Sequence, residues 1–339
     1  MNALSRLTSK FKRVAGSGLA SMLVLLSMAS ARAVDIRSEK SPRERRIEQA
    51  ETLKSPWRGS KKVWTVNVLL GVVTDNNITH LLVNSPVDSN LRISDTILRS
   101  GAGLTVTPRL SKNVPTEFSY SFDRFDYQQN TLFSYYTHSL SGEVLPKIYS
   151  HWRLVTGGDA DWAADQNGSL ANSQAGHAGL QWSGPHHLRL RTGYEYRHDN
   201  VILNSLKNAN SNIGFLTAHR RFFEIHNVFG HYRYVAHATT GSDFAFHAHE
   251  VRFGAINHWT PIFKTNWIAS YTNKTYDNLD SRFLQRRHDI TYSGTFKPGV
   301  SLLPWLDASV SLTYLENHSN VSIKSYSDQI YSFILEGRF

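Results

Sequence analysis

The sequence predicts an all-β fold, a single transmembrane antiparallel β-barrel of outer-membrane type with about 14 strands, in a range of roughly 12–16. Three observations predict it. The chain closes on a strictly alternating aromatic strand, it opens on an export signal, and between the two it repeats segments of about ten residues with period-2 alternation.

The terminal strand carries Tyr331, Phe333, Leu335, Gly337 and Phe339 on one face. Ser332, Ile334, Glu336 and Arg338 fall on the other. A period-2 backbone therefore sets an apolar, aromatic row against a mostly polar one.

Residues 1–33 read as a secretory signal peptide. Arg6, Lys10, Lys12 and Arg13 give a basic start without an acid, and 19–28 is a short apolar run. Ala31-Arg32-Ala33 fits the small-x-small cleavage rule. The apolar run is about half of the ~20 residues a spanning helix needs, which excludes a helical anchor. Residues 34–60, rich in Arg, Glu, Lys and Ser, are too polar to bury a core and read as a periplasmic lead-in. The barrel is expected over 61–339.

Composition narrows the class further. Cysteine is absent, so no disulfide scaffold holds the protein. Mean hydropathy is −0.36 although aromatics make up 12 %. That combination is expected when only alternate residues meet lipid. The formal charge of +10 is concentrated at the start. Residues 61–339 carry 25 basic and 22 acidic side chains, so the basicity is largely a targeting effect and no nucleic-acid partner is expected.

The expected strands follow in chain order. Segment 63–73 puts Trp64, Val66, Val68, Leu70 and Val72 on one face, and 97–107 does the same with Leu98, Ala102, Leu104 and Val106. Segment 117–127 sets Phe118, Tyr120 and Phe122 against Glu117, Ser119, Ser121 and Asp123. In 136–144, Leu140 and Val144 oppose Ser139, Ser141 and Glu143, and in 151–162, Trp152, Leu154 and Trp162 oppose Arg153, Asp159 and Asp161. Segment 174–182 is weaker, whereas 187–197 cleanly separates Leu188, Leu190, Tyr194 and Tyr196 from Arg189, Arg191, Glu195 and Arg197. Segments 211–221 and 224–235 have mixed patterns. Segments 247–257, 263–272, 287–297 and 306–315 alternate again, and the terminal strand is the fourteenth.

Proline-containing turns at 107–114, 146–149, 184–185, 258–261 and 298–304 suit strand ends, because proline cannot donate to a ladder. Between them the sequence predicts longer polar connectors at 75–95, 164–172, 200–210, 237–243, 273–281 and 316–324. Short turns on one side and long loops on the other are the outer-membrane arrangement, and an even strand count brings both ends to the periplasm. The polar rows would line the lumen. Candidate lining residues are Arg153, Asp159, Arg189, Arg191, Glu195 and Arg197 in the first half. Lys264, Arg287, Asp289, Asp307, Glu336 and Arg338 follow in the second. They would form either a wall-stiffening ion-pair network or a lining for a polar solute or secreted chain.

No catalytic or cofactor signature emerges. Sixteen histidines invite a metal reading, and His247 and His249 share one strand face. Ligand-spaced Cys, His or acidic sets are absent, and no metal or cofactor is expected. Phosphate-loop and nucleophile-elbow patterns are absent too. The protein is expected not to be an enzyme. The reading to set against this is a barrel hydrolase acting on lipid, which would place a Ser–His pair at the rim.

The stretch Val72-Val73-Thr74-Asp75-Asn76-Asn77-Ile78, the step His318-Ser319-Asn320-Val321 and the ending Glu336-Gly337-Arg338-Phe339 carry a resemblance. This layout resembles the C-terminal barrel of the surface lipoprotein assembly modifier family over 61–339. The resemblance implies a fourteen-stranded barrel that exports or translocates a polar client. Where that family has a periplasmic domain of tetratricopeptide repeats, about 27 residues stand between signal and barrel here. The likeness to bacterial outer-membrane barrels also implies that assembly machinery reads the last strand. Expected partners are outer-membrane lipid and lipopolysaccharide, that machinery, and a secreted client or polar solute. The alternative function is a porin-type diffusion channel for polar or anionic solutes.

Overall fold

The computed structural model describes residues 64–76, 94–111, 114–131, 133–202, 204–223, 225–281 and 283–339. The signal peptide and lead-in expected over 1–33 and 34–60 lie outside the described residues, as do Asn77 and Ile78 and most of the connector expected at 75–95.

The described chain is nearly all strand. The first half runs β1 (Trp64–Asp75), β2 (Asp95–Val106), β3 (Arg109–Ser111), β4 (Val114–Tyr127), β5 (Tyr135–Val144), β6 (Lys147–Tyr149), β7 (Trp152–Asp165) and β8 (Gly168–Ser183). The second half runs β9 (Arg189–Val201), β10 (Ala209–Phe222), β11 (His226–Thr239), β12 (Phe246–His258), β13 (Phe263–Asp280), β14 (Gln285–Leu303), β15 (Leu306–Ser319) and β16 (Tyr326–Arg338). β3 and β6 are three-residue pieces within turns; the other fourteen strands form the wall.

Every long strand pairs antiparallel with its neighbours, and β1 pairs with both β2 and β16. The ladder therefore closes, leaving no edge to satisfy. At the seam Val66 and Phe339 exchange both backbone hydrogen bonds, at 3.1 and 2.9 Å. The protein is a closed 14-strand antiparallel β-barrel.

Alternation sorts the side chains. Trp64, Val68 and Val72 of β1 are exposed, as are Leu140, Leu180, Val310 and Phe333 on other strands. Side chains converge and bury one another on the concave face of a barrel, so the exposed apolar rows are convex and face lipid. Tyr331, Phe333, Leu335, Gly337 and Phe339 all share that outer face. Trp64, Trp152, Trp182, Trp259, Trp267 and Trp305 gather toward the end that carries the termini. Tyrosines and histidines occupy the outer face toward the distal end. There Tyr232 and Tyr234 share hydrogen bonds with His249 and His247 at 2.9 and 3.0 Å, and Tyr120 with His138 at 2.7 Å. The two aromatic girdles and the apolar band between them are those of an outer-membrane protein.

Three sequence expectations need correction. The connectors are not consistently longer on the distal side: 166–167 is a tight distal turn, comparable with 304–305 at the other end. Residues 273–280 and 298–303, expected as loop and turn, instead extend β13 and β14 to 18 and 19 residues, the longest strands among the described residues. Their polar residues are ladder residues on a hairpin whose length the lipid band does not fix. Finally, the inner face is not uniformly polar. Phe229, Ile256 and Ile268 form one buried cluster there, and Ile213, Val235 and Ala248 form another. These inward apolar residues explain why 211–221 and 224–235 alternate poorly in sequence.

Candidate functional site: the charged inner wall

All twelve candidate lumen residues fall on the concave face, opposite the exposed apolar rows. The strands impose this, because each candidate has the parity opposite to a lipid-facing neighbour such as Leu154, Leu190, Trp267 or Val310.

The register brings some of them together. On β5 and β7–β9, Arg191 donates to both carboxylate oxygens of Glu143, Nη1 to Oε1 at 3.0 Å and Nη2 to Oε2. His177 Nε2 lies 3.2 Å from the same Oε2, and its Nδ1 lies 3.9 Å from Asp159. Gly157 pairs with both Glu143 and His177, and a Cβ there would stand 2.8 Å from the His177 ring. The glycine makes room for the imidazole.

A second group forms on β13–β16. Lys264 Nζ donates to Asp307 at 2.6 Å, and Ser301 Oγ donates to the other oxygen of that carboxylate at 2.6 Å. Arg338 lies 3.5 Å from both Asp307 and Glu336. Lys297, Asn266 and Ser309 line the shallow recess beside them.

The remaining candidates make other contacts, and Glu195 lies directly across the ladder from His177. Glu195, 2 % exposed, accepts from Arg197 at 2.7 Å, and Arg287 Nε donates to Asp289 at 2.9 Å. Arg153 donates to the Leu145 carbonyl at 3.2 Å, and Arg189 begins β9 exposed. The pairs lie along the wall, with cross-strand hydroxyl contacts Ser119–Ser141, Ser270–Ser293 and Ser311–Ser332 at 2.6 Å filling the gaps. Such side chains leave a stiff, hydrophilic, double-signed surface toward the lumen.

Several inner-wall residues were not among the sequence candidates. Glu143 was legible as a member of a polar row, but its partner is far away in sequence. The pairs Arg99–Asp123, at 2.7 Å, and Arg233–Glu250, at 3.3 Å, and the buried His177 also belong to the wall. His177 sits in the weak segment 174–182, which offers no periodic signal for it. Ser211 and His237 form a serine–histidine contact at 2.7 Å near the distal rim, on the inner face. His247 and His249, the one histidine pair sharing a face in sequence, point outward and engage tyrosines.

No family model matches the chain. A stretch of 98 residues is 35 % identical to the hemophilin secretion modulator of Acinetobacter baumannii, covering 28 % of this chain. The matched stretch spans 20 % of that protein's length. Among solved structures, Pseudomonas putida OprB overlaps with a TM-score of 0.46 at 8 % identity, covering 91 % of this chain and 99 % of that one. The Vibrio cholerae outer-membrane protein OmpT overlaps at 0.47 and 6 % identity, covering 83 % and 99 %. The outer-membrane channel DcaP of Acinetobacter baumannii overlaps at 0.46 and 10 %, covering 83 % and 99 %. By its own closed ladder and lipid-facing girdles the chain is a Gram-negative outer-membrane β-barrel, and part of it is similar to a secretion modulator.

Proposed function

We propose that this barrel takes part in the export of a polar client across the outer membrane, in the manner of the surface lipoprotein assembly modifier family that its sequence resembles. The observation that carries the reading is the 98-residue similarity to a hemophilin secretion modulator. The wall of paired charges and hydroxyls is consistent with it, since a polar chain passing such a surface loses little hydration. On this reading the barrel has no catalytic step. Ser211 and His237 face the lumen, away from the acyl chains a lipid hydrolase would need to reach. Its other partners are outer-membrane lipid, lipopolysaccharide and the barrel-assembly machinery, which reads the terminal strand.

The test compares surface-exposed and secreted proteins of cells lacking the barrel with those of complemented cells. The expected result is loss of a small set of polypeptides from the surface or medium, restored by the wild-type chain. Unchanged protein sets overturn the proposal.

A porin-type diffusion channel is the second reading, favoured by the inward row of Arg189, Arg191 and Arg197. It requires selectivity for polar or anionic solutes that changes when these arginines become glutamine.

A further inference from the structure

The inner charges are segregated along the barrel axis. Among the described residues, consider the five positions of each long strand nearest the distal end. They carry ten inward-facing acids and three inward-facing bases. The five positions nearest the end that carries the termini hold six inward-facing bases and four acids.

The distal acids include Asp75, Asp95, Asp165, Asp280, Asp289 and Asp328, each no more than 6 % exposed. The bases at the other mouth are Arg153, Arg189, Arg191, Arg221, Lys264 and Arg338. Some of the aspartates serve the backbone: Asp95 accepts from the amides of Gln128, Gln129 and Asn130, and Asp165 from those of Asn167 and Gly168. Backbone amides are neutral donors, so those bonds leave the count of acidic and basic side chains at that mouth unchanged. The ion pairs Arg191–Glu143, Lys264–Asp307 and Arg287–Asp289 each neutralise only their own two members. Pairing among these strand residues alters neither balance, ten acids to three bases at the distal mouth and six bases to four acids at the other.

We propose that the lumen is an axially bipolar ion pathway, attracting cations at the acidic distal mouth and anions at the basic mouth beside the termini. A low-dielectric wall focuses such fields, which reach several kT over a charged cleft. With the termini facing the periplasm, the consequence is rectification. A potential positive on the distal, extracellular side drives cations in through the acidic mouth and anions in through the basic mouth. Both carriers accumulate and the current is large. The opposite potential draws both out, and the lumen is depleted. This property does not depend on the export reading, because a missing client and a symmetric current are seen in separate assays.

The experiment records current through the purified full-length barrel in planar bilayers with KCl, inserted in one orientation. At 0.1 M the screening length is about 10 Å, so the mouths act separately, and the current ratio between +100 and −100 mV should be about twofold or more. At 1 M screening falls to about 3 Å and the ratio should approach one. Asp161 near the end of β7 and Asp199 near the end of β9 are two of the ten distal acids, and two variants, R153Q/R189Q at one mouth and D161N/D199N at the other, should each lower the ratio at 0.1 M. Both are first checked for heat-modifiable folded barrel. A ratio of one at 0.1 M, a ratio indifferent to salt, or a folded barrel that carries no current overturns the proposal.

Discussion

Arg191 on β9 reaches across β8 and β7 to hold both carboxylate oxygens of Glu143 on β5. A fork-to-carboxylate contact of this kind fixes direction as well as distance, and lysine cannot reproduce it. It ties together four strands that otherwise meet only their immediate neighbours. R191K and E143Q should each lower unfolding stability by about 1.5–3 kcal/mol. The double variant should cost markedly less than the sum, because each single change already breaks the same contact. Urea unfolding of the barrel in lipid vesicles, followed by tryptophan fluorescence, measures both. Additive losses would show that the two side chains act independently.

How much of this was legible in sequence depends on which property is asked for. The parity of Arg191 was readable, because Leu190 and Tyr194 alternate around it in a clean strand. So was the parity of Glu143. Their contact was not, because 48 positions separate them and only the register of three ladders brings them together. The same holds for Lys264 and Asp307, 43 positions apart on strands that are not neighbours. Strand length was legible at the proline-containing turns 184–185 and 258–261, and illegible at 273–280 and 298–303, where polar residues and Pro298 continue the β13–β14 hairpin. Inward Phe229 and Ile256 defeated the alternation rule, because a barrel wall tolerates apolar residues on the concave face when they pack against one another.

The Lys264–Asp307 contact predicts a second coupling. Asp307 receives Lys264 and Ser301 on its two oxygens, with Arg338 nearby. D307N removes the negative charge from a site that retains two cations, and should cost about 2 kcal/mol. Adding K264M removes one of the stranded cations and should recover at least about 1 kcal/mol of that loss. Vesicle unfolding of the four members of the cycle decides it, and absence of recovery would place the energy of the site elsewhere.

Phe339 predicts an assembly phenotype. Its backbone closes the ladder onto Val66, and its ring stacks on Trp305 with centroids 5.6 Å apart. F339D keeps the backbone donor and acceptor but sets a charge in the lipid-facing girdle. Folded, heat-modifiable barrel in outer-membrane fractions should fall severalfold, whereas F339Y should assemble normally. Wild-type levels of F339D barrel would refute an assembly role for the terminal side chain.

The two faces of β15 predict opposite tolerance to charge. Val310, 53 % exposed, sits in the middle of the lipid-facing row, while Ser309 beside it lines the inner recess with Asp307 and Glu336. V310K should cost about 2–4 kcal/mol, the penalty for a lysine at bilayer depth. S309K enters a solvated polar surface where Asp307 and Glu336 stand among Lys264, Lys297 and Arg338, and should cost about 1 kcal/mol, less than V310K. Refolding yields into vesicles and urea midpoints give the ranking. A larger penalty for S309K would mean that the faces are assigned the wrong way round.

Glycine on the two faces makes a sharper comparison, because the substitution is the same and only the surroundings differ. At Gly157 an added Cβ would lie 2.3 Å from the Gly142 carbonyl oxygen and 2.8 Å from the His177 ring. The carbonyl belongs to the β5–β7 ladder and cannot yield without parting the strands. At Gly176, one strand away and on the lipid face, an added Cβ meets nothing within 4 Å. G157A should therefore cost about 1–3 kcal/mol through overpacking and loosen the Glu143–Arg191 bridge beside it. G176A should be neutral or stabilising by about 0.5–1 kcal/mol, since alanine gives up less backbone freedom on folding. If G157A unfolds at the wild-type urea midpoint, the close approach of β5, β7 and β8 around His177 is not the constraint that keeps the position glycine.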